Sequence, residues 1–107
     1  MKRLFISQPM RGKTDDEIIY EREHAIQKAQ EFLGEQVEVI DSFFQSAPVN
    51  TKPLWYLAKS LELLSTADVA YFAPGWDEAR GCRIEHEAAL AYDISVIECF
   101  EREDLKA

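Results

Sequence analysis

The chain has 107 residues, 47% of them hydrophobic, which fits one domain with one real core. It carries 12 basic and 20 acidic residues, a formal net charge of −8. Such a surface repels a phosphate backbone, which excludes a nucleic acid polymer as the main partner, while one arginine and one helix N-terminus still suffice for a small anion.

The opening MKRLFISQPM is too short in apolar residues for a signal peptide or a membrane span, so no membrane partner and a cytoplasmic location are expected. Residues 3–7, RLFIS, read as a first strand, and QPMRGK after them as a loop marked by Pro9 and Gly12. Thr14 with Glu17 three residues on is a capping box, and Asp15 and Asp16 favour the positive end of the helix it opens. Ile18, Ile19, Ala25, Ile26, Ala29, Phe32 and Leu33 form its predicted apolar stripe, and Gly34 stops it. Residues 37–41, VEVID, read as a half-covered strand. The longest connection, 42–53, leads to a second helix over 54–67, then a strand over 68–74 ended by Pro74 and Gly75. A third helix over 80–92 and a fourth strand over 94–100 follow, with a short charged tail.

Strands alternating with helices imply a parallel sheet with right-handed crossovers, a three-layer α/β domain. If the order is 2-1-3-4, the ligand crevice lies where the order reverses, outside the carboxyl ends of the first and third strands. The loops SQPMRG and PGWDEARG then face each other, and the third helix starts in the same crevice. Glu85 is four residues from Gly81 and three from Ala88, so two small residues leave room beside it. Glu87 is about 200° round the helix and points elsewhere. Spacing alone leaves Glu85 open between a solvated charge and a catalytic carboxylate.

FISQPMRG, STADVAYFAPGW and GWDEARGCRIEHEAA together resemble the nucleoside 2-deoxyribosyltransferase-like superfamily. That superfamily includes the deoxynucleoside monophosphate N-glycosidases and a group of small bacterial and phage proteins of unassigned function. The last group is similar in the PGW…ARG..IE region. The resemblance covers most of the chain in the right order and implies one flavodoxin-like domain over residues 1–107, with the strand order 2-1-3-4. It implies that Glu85 is the nucleophile that attacks an anomeric carbon and expels a base, a task that suits an ionised carboxylate. It further implies that Arg11 and Gly12 contact the sugar or its 5′-phosphate, where an arginine fork suits an anion. Ser7, Gln8, Met10, Trp76, Gly81 and Ser60 complete the expected substrate-binding set, with no cofactor.

Three positions depart from the catalytic members. Ser60 stands where they carry an aspartate, eight residues before Asp68; Ala79 replaces a serine; Gln8 replaces a glycine. A serine can hydrogen-bond a hydroxyl but cannot replace an acid. Two functions follow as expectations: a nucleoside or nucleotide N-glycosidase or deoxyribosyltransferase, and, alternatively, a non-catalytic nucleotide-binding or regulatory module.

Other residues are open to two uses. Trp76 can stack on a base or plug the start of the third helix. Phe43 and Phe44 can stack on a base or serve core and subunit contacts. Asp68, at the amino end of its strand, suits a turn or cap. Arg80 is a weak anion contact, and Arg83 a solvated or paired charge. Trp55, Tyr56 and Leu57 give the second helix more apolar surface than the sheet covers, which implies a homo-oligomer. Cys82 and Cys99 are expected as reduced thiols. Cys82 and His86 lie one helical turn apart, but no second such pair accompanies them, so no metal is expected.

Overall fold

A computed structural model describes residues 1–44 and 47–99. Four strands, β1 (Lys2–Ser7), β2 (Val37–Val39), β3 (Val69–Phe72) and β4 (Ser95–Glu98), form one sheet in the order β2-β1-β3-β4. Every neighbouring pair is parallel, with Leu4 opposite both Val39 and Val69. Three helices join them: α1 (Asp15–Leu33), α2 (Pro53–Leu64) and α3 (Arg80–Ala91). This is the α/β flavodoxin-like arrangement with the 2-1-3-4 order.

Strand alternation divides the core in two. Leu4 and Ile6 face α1, packing with its Ala25 and Ala29 and with Val69 and Tyr71. Phe5, Ala70 and Phe72 face the other way, onto Leu64 of α2 and Cys82 and Ala89 of α3. β3 is buried along its whole length, as a central parallel strand covered on both faces must be.

Helix α1 begins at the predicted capping box: the Thr14 hydroxyl accepts from the Glu17 amide at 3.2 Å, and the Glu17 carboxylate accepts from the Thr14 amide at 2.9 Å. It ends at Gly34, whose φ of 72° is left-handed and whose N–H donates to the Gln30 carbonyl. Its buried face differs from the predicted stripe. Ile18, Glu21, Ala25 and Ala29 are buried, whereas Ile19 and Phe32 are 41% and 72% exposed. Ile19 sits 100° round from Ile18 and so leaves the sheet side.

Elements are shorter than predicted at several ends. β2 stops at Val39, although Ile40 still donates to the Leu4 carbonyl. α2 starts on Pro53, which has no N–H to waste at the first helical position, and stops at Leu64, after which two tight turns carry Thr66 and Ala67. Asp68, expected as a turn or cap residue, sits in a bend at the foot of the sheet, where its carboxylate accepts from the Arg3 amide of β1 at 2.8 Å. Residues 45, 46 and 100–107, which include part of the predicted long connection, the last residue of the predicted fourth strand and the charged tail, lie outside the described residues. No helix of the described residues is long and apolar enough to cross a membrane.

Candidate functional site

The loops at the carboxyl ends of the strands enclose a cavity of about 990 Å³. Ser7, Gln8, Met10, Arg11, Ser60, Gly81 and Glu85 all line it, so most of the predicted site residues meet there. Gly12 and Trp76 do not line it.

Glu85 is the carboxylate of this cavity. It lies on the sheet-facing side of α3, one turn into the helix, and is only 7% exposed. Ser7, the last residue of β1, donates its hydroxyl to Glu85 Oε1 at 2.6 Å. Ser60, on α2, lines the cavity beside it, and its hydroxyl also favours the charged form. Burial pushes the Glu85 carboxyl above its ordinary range and outweighs these two hydroxyls, which pull it back down. Arg11, exposed at the rim, takes no part in that balance. Burial raises the Cys82 thiol to about 11, against a smaller opposing effect of the Ser7 hydroxyl, so it stays protonated and unreactive at neutral pH.

The loop after β1 is set by a tight turn in which the Lys13 amide donates to the Met10 carbonyl at 3.1 Å. Gly12 occupies its third position with φ of 80°, a conformation that side chains resist, and this turns Arg11 toward the cavity rim. Gly81, in the first turn of α3, has no atom within 4 Å of where a Cβ would stand. The glycine therefore leaves open space beside Glu85.

Trp76 is the plug. A turn through Pro74 and Gly75, the latter at φ 88°, drops the indole into the core, where it is 7% exposed. It stacks on His86 with ring centroids 4.2 Å apart and leans on Phe72 at 5.5 Å. The His86 ring in turn pairs with Glu98 of β4, so Cys82 and His86 face different partners. The aromatic wall of the cavity comes instead from Phe43, Phe44 and Tyr56, with Phe44 packed edge-on to Trp55 at 6.1 Å.

A polar network under this wall escapes sequence reasoning. Gln8 donates to Glu21 Oε1 at 2.8 Å and to the Ile18 carbonyl at 3.3 Å. Its carbonyl accepts from Arg22 Nη1 at 3.1 Å. Lys13 reaches both Glu21 oxygens at 3.1 Å. Arg22 continues to Ser42 Oγ at 3.3 Å and the Ile40 carbonyl at 3.2 Å, and Ser42 to the Ile6 carbonyl at 3.4 Å. Burial lowers the Arg22 pKa, and Asp41 opposes this. Read along α1 alone, Glu21 and Arg22 look like ordinary surface charges; the one clue is their helical spacing from Ile18 and Ala25.

Charge at the cavity runs against the whole. Among the described residues its lining carries Arg11, Lys52 and Arg80 against the single carboxylate of Glu85, on a chain of net charge −8. Among the described residues no group of three or more His, Cys, Asp or Glu is placed to hold a metal ion.

Fold and site together define a small flavodoxin-like α/β domain with the buried Glu85 in a cavity at the switch point of its sheet. The chain belongs to the DUF4406 family, a domain of unknown function, whose model matches residues 2–98. No curated protein and no solved structure is significantly similar to it.

Proposed function

We propose that this chain binds a nucleoside or nucleotide in the 990 Å³ cavity and cleaves or transfers its N-glycosidic bond through Glu85. The observation that carries this reading is the burial of Glu85 at the strand ends, bonded by the Ser7 hydroxyl with the Ser60 hydroxyl nearby. A surface charge needs neither burial nor partners. The resemblance to the nucleoside 2-deoxyribosyltransferase-like proteins assigns the same residue.

In this mechanism the ionised Glu85 attacks the anomeric carbon. The C–N bond breaks, its electron pair leaves with the base, and solvent supplies the base's proton. The resulting glycosyl ester is then opened by water, or by a second base, which regenerates the carboxylate. Ser7 and Ser60 orient the attacking oxygen. A carboxylate whose basicity is raised by burial is a better nucleophile once ionised, at the cost of needing a higher pH to ionise. The cations Arg11, Lys52 and Arg80 favour a phosphorylated substrate over a neutral nucleoside.

A second reading is a nucleotide-binding module without turnover, favoured by Ser60 in the place of an acid. One experiment separates the two. The protein is incubated with a panel of nucleosides and their 5′-monophosphates, and free base is followed by chromatography. Base release that Glu85→Gln abolishes supports the glycosidase or transferase, and release that survives the substitution rejects Glu85 as nucleophile. No release, together with a nucleotide-induced rise in melting temperature, supports the module.

A further inference from the structure

Gln8 directly follows Ser7, and strand alternation sends their side chains to opposite faces of the sheet. Ser7 meets Glu85 of α3, and Gln8 meets Glu21 and Arg22 of α1. Glu21 and Arg22 are consecutive on the helix, so they point about 100° apart and cannot pair with each other. A side chain that joins them must donate at one end and accept at the other, which a neutral amide does. Gln8 itself is 6% exposed and Glu21 5%, so this link lies in the protein interior, where an unmatched polar group is costly. Apolar packing would anchor the strand to α1 without burying these charges. What apolar packing would not supply is a fixed orientation of the strand end at which Ser7 sits.

We propose that Gln8 is a positioning residue: by clamping the carboxyl end of β1 to Glu21 and Arg22, it holds the Ser7 hydroxyl on Glu85. The proposal rests on Glu85 being the working group of the cavity. Ser7 from β1 bonds Glu85 directly, and Ser60 from α2 and Cys82 of α3 line the same cavity. Arg11, Lys52 and Arg80 line the same cavity. The Glu21 and Lys13 charges are felt at the Cys82 thiol, so a field effect must be separated from a positional one.

A titration cycle does this. The Glu85 carboxyl is followed by carbon NMR in the wild type, Gln8→Met, Ser7→Ala and the double variant. Gln8→Met keeps the bulk and removes both ends of the amide. Each single variant is expected to raise the Glu85 midpoint, because a hydroxyl that favours the charged form is lost or displaced. The double variant is expected to titrate where Ser7→Ala does, since the two changes act through one hydroxyl. An unchanged midpoint in Gln8→Met overturns the proposal, and so does an equal rise from Gln8→Met in the Ser7→Ala background. Should Gln8→Met fail to fold, Gln8→Asn keeps an amide one carbon too short to span both partners. It is expected to raise the midpoint in the same way, and an unchanged midpoint there is equally fatal. The readout is a proton equilibrium, so absence of base release, which would sink the glycosidase reading, leaves this test standing.

Discussion

Glu85 is held between a burial that resists its charge and two hydroxyls that favour it, and burial wins. The consequence for stability has a definite sign. Its folded pKa lies above the ordinary value of 4.5, so between the two the native state binds more protons than the unfolded chain. Stability from this group is then fully present below about 4.5 and is lost as pH rises through the folded pKa. Glu85→Gln keeps the shape and an acceptor for Ser7, and has no charge to bury. It is expected to melt higher than wild type at pH 7, with the gap closing as pH falls toward the ordinary carboxyl range. Paired thermal melts across that interval check this. A gap independent of pH would mean that the charged form carries no burial cost, and the same group could not then show a raised titration.

At the scale of elements, α1 depends on its N-cap. Thr14→Ala removes the hydroxyl that accepts from the Glu17 amide, and is expected to lower stability by about 1 kcal/mol in urea titration, with an unchanged slope. This cap is legible in the sequence because its residues lie within one turn of each other, and Gly34 is legible at the other end for the same reason. The parallel sheet is also legible, because strands alternate with helices, whereas its 2-1-3-4 order comes from the family resemblance. The inner face of α1 is not. Phe32 is apolar and exposed, while Glu21 is charged and buried, since its partners Gln8 and Lys13 come from the loop side of β1. No window along the helix contains that information. Trp76 fails to be legible for a related reason: its stacking partner His86 lies on the next helix, α3, and only the turn at Gly75 decides which way the indole faces. Within the candidate site, the Gly81–Glu85 spacing is readable, but the two hydroxyls that complete it come from other elements.

The molecule as a whole leaves apolar surface around the cavity mouth. Leu54 is 72% exposed, and Tyr56 and Ile84 are 37% and 39% exposed; all three line the cavity. We propose that a second copy covers this rim. Light scattering at micromolar concentration is expected to give at least a dimer, and Leu54→Glu to shift it toward monomer. A wild-type monomer there would count against the assembly. A different consequence attaches to the bond between Ser7 and Glu85, whose residues stand 78 positions apart. Helices can form on local contacts, but this bond waits for β3 to close against β1. A chain that has recovered its helices without that closure carries Glu85 on an open helix, where it ionises like any surface carboxylate. The unusual titration of Glu85 is thus also a clock, marking the moment in refolding at which the two ends of the chain have found each other.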